Sequence, residues 1–334
     1  MIKYIEPGNE DKNSIECFYK EFKKIYCDIK ENGFDNSKTL VPLSKNGGIL
    51  NGAHRVASAI KSNKSVACVI LDINSPNYDY KFFSNRHVPI EMLDAAAVKF
   101  IEYSNNTYIA CIWPTAQDND KEIENVIPNI VYRKNISLSD NGAHNFISQV
   151  YTGEAWLGDV NNNFKGVRRK LVECFKKEDL VRVVAFQADS LDTVLKVKED
   201  IRRLFNVGKH SIHITDTKEE ALNISRLVFN DNSVHFINYA KPNTFLDFHK
   251  NLVEVKKFLQ LNNIKEDDFA IDGGMVLAAY GLRKASDVDY FASEDTSVSR
   301  PMDNFDPHDS ELKFYKKQKN ELIYDPRNYF FFKV

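Results

Sequence analysis

Strand-like apolar runs alternate with stretches of helical period along almost the whole chain, and this alternation limits it to folds that layer helices against sheets. SIECFYKEFKKIYCDIKENG has the helical period. The apolar TLVPLSKNGGILNG leads into the helical HRVASAIKSNKS, and VACVILDI is rich in β-formers. Further on, NTYIACIWP and VRVVAFQAD read as strands and LDTVLKVKEDIRRLF as a long helix. HSIHIT, KEEALNISRLVF and SVHFIN read as strand, helix and strand, a unit resembling βαβ. Thr217 and Glu220 have the spacing of a capping box, which predicts a helix start there. KPNTFLDFHKNLVEVKKFLQLNNI is a further helix, and ELKFY and NYFFFKV close the sequence as strand-like runs. With 334 residues the chain is long enough for two or three domains, each with its own core. The expected class is α/β built from α+β modules, and the expected domains are residues 1–95, 96–242 and 243–334.

Lys and Arg number 45 against 47 Asp and Glu, for a net charge of −2. No overall field therefore draws the chain to nucleic acid or to an anionic membrane, and any phosphate recognition must be local. Cys17, Cys27, Cys68, Cys111 and Cys174 are scattered singly and odd in number. They show no CxxC pair and no zinc spacing, which fits reduced thiols better than a disulfide framework. The opening MIKYIEPGNEDKN lacks the apolar core of a signal peptide, and no stretch approaches the roughly 18 to 20 apolar residues of a membrane helix. The expectation is a cytoplasmic protein with no membrane span and no nucleic-acid partner.

One stretch carries chemistry. Residues 271–291 read IDGGMVLAAYGLRKASDVDYF: a strand end, two glycines, a short apolar helix, a basic turn and two aspartates. In a strand, Asp287 and Asp289 would project from one face while Val288 and Tyr290 point to a core. Adjacent carboxylates repel unless a cation neutralises them, and Mg²⁺ or Mn²⁺ prefer such oxygen ligands. Gly273 and Gly274 would let the start of the helix come close to a phosphate. Arg283 and Lys284 add positive charge beside it. The plainer alternative is a tight glycine turn with the aspartates on a solvated edge.

The glycine pair, twelve intervening residues (275–286) and Asp-apolar-Asp resemble the signature of the nucleotidyltransferase superfamily with the DNA polymerase β-type fold. GLRKASDVDYF resembles that superfamily's G-x-R-x-S-D-x-D stretch, and the likeness covers at most residues 243–334. It implies a C-terminal mixed sheet in which Asp287 and Asp289 hold Mg²⁺ or Mn²⁺. Gly273, Gly274, Lys284 and Ser286 would meet the phosphates of a nucleoside triphosphate, and Arg283 would stabilise developing charge. Gly274 stands where the superfamily often has Ser. The implied third carboxylate, on a later strand, is assigned to Asp325 in LIYDPRNYF, with Glu311 behind it.

A second candidate is ILNGAHRVASAI. Asn51 could cap the helix that follows, Gly52 could take a positive φ, and His54 and Arg55 would lie in its first turn, an arrangement suited to anions. The stretch resembles the D-G-x-H-R box of the ParB/sulfiredoxin-like fold over about residues 35–75, with Asn51 in place of Asp. No cysteine in the turn and no basic helix-turn-helix after it disfavour the sulfiredoxin reaction and DNA partitioning. The resemblance implies a phosphate or nucleotide site, as in free-serine kinases of that superfamily. The alternative is a turn whose His54 and Arg55 are satisfied locally.

Weaker sets remain. His210, His213 and His235, with Asp216, suggest a metal or sugar-phosphate site if the strands carrying them are neighbours, although histidines on strands are more often satisfied locally. Trp113 and Trp156 fit core packing better than a ligand platform. NGAHRVASAI and NGAHNFISQV share four leading residues, a likeness more consistent with chance than duplication. Together the resemblances imply Mg²⁺-dependent nucleotidyl or phosphoryl transfer to a sugar, polyol or other small polar acceptor, in the manner of bacterial capsule and lipopolysaccharide biosynthesis proteins. A small-molecule kinase at the NGAHR turn, and a non-catalytic nucleotide-binding regulator, are the competing expectations.

Overall fold

Ser14 opens the first described element by accepting a hydrogen bond from the Cys17 amide at 3.2 Å, and the helix Ile15–Asn32 runs from it to Gly33 at φ 80°. The computed structural model describes residues 14–75, 77–176 and 180–333. The opening stretch read as lacking a signal peptide falls in residues 1–13, outside the described residues. Strand β1 (Val41–Leu43) pairs in parallel with β2 (Cys68–Ile70), and the helix Ala53–Lys61 links them and packs against Ile15–Asn32. The chain divides into two units, Met1–Tyr78 and Asp79–Val334. The expected boundary at 95/96 falls inside the helix Ile90–Tyr103.

The second unit is built on β3 (Thr107–Ile112), β4 (Ile130–Ile136), β5 (Val181–Gln187) and β6 (Ile212–Ile214), in the order β4-β5-β3-β6 with antiparallel neighbours. Ile109, Cys111, Tyr132, Val183 and Ala185 enter one core, while Ala110, Ile112, Val184, Phe186 and Ile214 enter another on the opposite face. Burial on both faces explains why VVAF, residues 183–186, is a continuous apolar run with no alternation. The helix Leu191–Phe205 covers the second face with Val194, Val197 and Ile201, a stripe at helical spacing.

The expected βαβ unit is corrected. Ile212–Ile214 is a strand and Lys218–Val228 a helix, but SVHFIN belongs to the helix Asp231–Tyr239. Asn230 Oδ1 caps that helix by accepting from the Ser233 amide at 3.0 Å, and Phe236, Ile237 and Ala240 are buried along its face. A short apolar run suits either period, and the Asn cap decides it here. Thr217 does cap its helix, accepting from the Glu220 amide at 3.1 Å. Glu220 does not close the box, because its carboxylate accepts from the Asp216 amide and meets His213.

The third sheet has β7 (Phe269–Asp272), β8 (Val288–Ala292) and β9 (Phe305–Pro307) in that order. β7 and β8 are antiparallel and β8 and β9 parallel, so the sheet is mixed. Phe258, from the helix Leu246–Asn262, stacks on Phe305 at 4.4 Å, and Phe269 stacks on Tyr290 at 5.0 Å. These side chains join the same core as Tyr132, Phe146 and Val183. That continuity explains why no unit boundary falls at the expected 242/243. The fold class is mixed α/β with several small sheets. The closing runs are not strands: Leu312–Tyr315 is a short helix, and residues 329–333 belong to no regular element. Side chains satisfy this terminal segment, Ser233 Oγ accepting from the Phe331 amide and Gln149 Oε1 from the Lys333 amide, both at 2.8 Å. Among the described residues no helix is long and apolar enough to cross a membrane.

Candidate functional site

The pairing register of the third sheet aligns three carboxylates. Asp272 at the end of β7 stands opposite Asp289 on β8, and Asp289 stands opposite Asp306 on β9. Like charges directly opposite one another on a sheet are destabilising. Val288 and Tyr290 are buried on the other face, as the period-2 pattern requires, and Asp287 precedes the strand. Asp287, Asp289 and Asp306 each offer an oxygen within 4.8 Å of the others.

Gly273 makes this possible. It sits at φ 59°, and a Cβ there would lie 2.1 Å from Asp289 Oδ2. The Gly274 amide donates to the same oxygen at 3.3 Å. Both glycines thus serve Asp289 directly, one by clearance and one by a hydrogen bond. His308, in the turn His308–Glu311, places Nε2 3.0 Å from Asp289 Oδ1 and Nδ1 3.1 Å from Asp272 Oδ2. Tyr315 Oη donates to Asp272 Oδ2 at 2.5 Å. Burial disfavours the charged imidazole, but the Asp272 hydrogen bond and the negative charges of Asp289 and Asp272 outweigh it and raise the pKa of His308. Each ring nitrogen thus faces a carboxylate. Burial, and then the Asp272 hydrogen bond and charge, also push the Tyr315 hydroxyl well above its ordinary value.

Arg283 is exposed, reaches to 3.3 Å from where a Gly274 Cβ would stand, and makes no hydrogen bond or ion pair among the described residues. Lys284 Nζ lies 3.9 Å from Asp247 Oδ2, both exposed, and Ser286 Oγ donates to Asp287 Oδ1 at 3.0 Å. Ser286 therefore steadies an acidic side chain in this arrangement. Asp325 lies outside the group of three: Arg327 grips both its oxygens, with Nε at 2.9 and 3.1 Å and Nη2 at 2.5 Å, and the hydrogen bonds from that guanidinium lower its pKa. Glu311 is also outside the group and accepts from Ser310 Oγ at 3.2 Å. Asp306 is the third member of the group. Phe305-Asp306 repeats the apolar–Asp step of Val288-Asp289, but no strand-length pattern around it marks it out. Asp272 was visible in IDGG beside the glycines; His308 and Tyr315 had no signal of their own.

The NGAHR turn is a separate structure in the first unit. Gly52 does take a positive φ, 91°, but Asn51 Oδ1 accepts from the adjacent Gly52 amide at 2.6 Å and caps nothing further on. The Arg55 guanidinium folds back on Thr39 Oγ1 and the Leu40 carbonyl, and His54 stacks on Phe22 at 4.8 Å. The three histidines are not gathered. His213 Nε2 meets Glu220 at 2.8 Å, His235 lies on a helix against Tyr239, and His210 belongs to the turn Gly208–His210. Trp113 is fully buried against Phe146 and Phe175, while Trp156 is partly exposed beside Tyr151.

The chain matches no protein-family model, no curated protein and no solved structure. The donor set itself can be tested against a cation. Hard divalent ions take oxygen ligands, Mg²⁺ at about 2.0–2.1 Å and Ca²⁺ at about 2.3–2.6 Å. Three carboxylate oxygens within 4.8 Å of one another are ligands of the type such ions take.

Proposed function

We propose that the chain is a divalent-metal-dependent nucleotidyl- or phosphoryltransferase acting from a nucleoside triphosphate on a small polar acceptor such as a sugar or polyol. The observation that carries this reading is the convergence of Asp287, just before β8, with Asp289 on β8 and Asp306 on β9. Their mutual repulsion makes a site for Mg²⁺ or Mn²⁺, and such a cation supplies charge neutralisation at phosphate oxygens when bound. Arg283, exposed and without an ionic partner among the described residues, would take a phosphate oxygen and stabilise negative charge that develops during transfer. Asp272, His308 and Gly274 hold Asp289. The nearby Lys284 adds positive potential. A role in bacterial surface polysaccharide assembly is part of the same proposal and rests on the combined resemblance of the NGAHR stretch to the ParB/sulfiredoxin-like fold and of IDGGMVLAAYGLRKASDVDYF to nucleotidyltransferases.

The test is a panel of nucleoside triphosphates and sugar or polyol acceptors incubated with the full chain and Mg²⁺, with products separated by chromatography. Pyrophosphate release with a nucleotidylated acceptor identifies nucleotidyl transfer; nucleoside diphosphate with a phosphorylated acceptor identifies phosphoryl transfer. The expected result is one of these, abolished by EDTA and by Asp287→Asn but retained in Arg55→Ala. Turnover that survives Asp287→Asn and is lost in Arg55→Ala contradicts the proposal and assigns the chemistry to the NGAHR turn.

A further inference from the structure

Asp289 is held more completely than the other two acids of the group. One of its oxygens faces His308 Nε2 at 3.0 Å and the other accepts from the Gly274 amide at 3.3 Å. Behind His308, Asp272 Oδ2 meets Nδ1 at 3.1 Å and the Tyr315 hydroxyl at 2.5 Å. These partners come from the end of β7, the turn after β9 and the short helix Leu312–Tyr315. Phe291, buried among Leu322 and Ile323, meets both His308 and Tyr315 edge-on, with ring centroids 6.2 and 5.7 Å away.

We infer that Asp272, His308 and Tyr315 form a positioning latch that fixes the rotamer of Asp289 and presents its carboxylate to Asp287 and Asp306. The inference rests on the metal-site reading above. Asp272 is outside the group of three, and one of its oxygens is already taken by two partners, so it acts through His308. The latch also differs from a packing element. The His308 side chain is 25% and Tyr315 is 40% exposed, and hydrogen bonds at so open a position contribute only about 0.5–1.5 kcal/mol each to folding. Hydrogen-bond partners behind metal-binding carboxylates, by contrast, typically change metal affinity by about 10–100-fold when removed. Losing the latch is therefore expected to affect ion binding far more than stability.

The experiment measures Mn²⁺ binding to the full chain by the electron paramagnetic resonance signal of the free ion, with thermal unfolding followed by circular dichroism. Wild type, Asp287→Asn, Asp272→Asn, His308→Ala and His308→Gln are compared. His308→Ala and Asp272→Asn are expected to weaken Mn²⁺ binding by about 10–100-fold with little change in unfolding temperature. His308→Gln, whose amide nitrogen still donates to Asp289, is expected to recover most of the affinity. If His308→Ala binds Mn²⁺ like wild type while Asp287→Asn binds none, the latch is wrong and the metal site stands. If Asp287→Asn binds as tightly as wild type, the metal site fails and the latch fails with it. Equal losses in His308→Ala and His308→Gln, each with a lowered unfolding temperature, overturn the latch in favour of a structural role.

Discussion

At Gly273 the backbone and a carboxylate compete for one volume. The residue's positive φ and the 2.1 Å approach of Asp289 to any Cβ leave room for hydrogen alone. Gly273→Ala is expected to lower stability by about 1–3 kcal/mol and to displace Asp289. Its Mn²⁺ affinity should fall together with its urea midpoint; an alanine variant that keeps both would show that the strand and turn yield easily and that the glycine is incidental. Residues were unequally legible in the sequence. Asp287 and Asp289 could be read because they flank an apolar residue in a strand with clear period 2. Asp306 could not, because Phe305–Pro307 is only three residues long and ends in proline. Asp325 sits in a longer apolar context, yet Arg327, two residues on, claims its carboxylate.

At the scale of elements, caps were the best guides and apolar runs the worst. Thr217 starts its helix as its spacing predicts, whereas SVHFIN, with no alternation over its full length, folds as the helix that Asn230 caps. NYFFFKV failed as a strand because side chains from distant helices, Ser233 and Gln149, take its amides. Nothing in the local sequence reports such long-range partners. Glu220 ties β6 to the helix after it through His213 and the Asp216 amide. Burial raises its pKa, but the His213 hydrogen bond and charge and the Asp216 amide outweigh this, so the folded pKa is lowered. The stability contributed is present above the unfolded glutamate value, about 4.3, and is lost as pH falls through the lower folded value. Unfolding temperatures of wild type and Glu220→Gln measured from pH 6 to pH 3 should therefore converge toward the acid end. A gap that stays constant with pH would remove Glu220 from the acid dependence.

On the whole-molecule scale, the division at Tyr78 and Asp79 places the NGAHR turn and the carboxylates in different compact units. The alternation of helix and strand was enough to give a mixed α/β class, and the mixed C-terminal sheet is present. The domain boundaries were not legible, because the core shared by Phe258, Phe305, Tyr132 and Val183 is assembled from side chains far apart in the chain. The third sheet rests on that core through Val288, Tyr290 and Phe305, which gives its acidic face a firm base. The most direct test of the central claim compares turnover of nucleoside triphosphate with Mg²⁺ and a productive acceptor in wild type, Asp306→Asn and Asp325→Asn. Asp306→Asn is expected to lose at least about 100-fold in rate, in the range of lost charge stabilisation, while Asp325→Asn stays near wild type. Turnover retained in Asp306→Asn and lost in Asp325→Asn would contradict that claim.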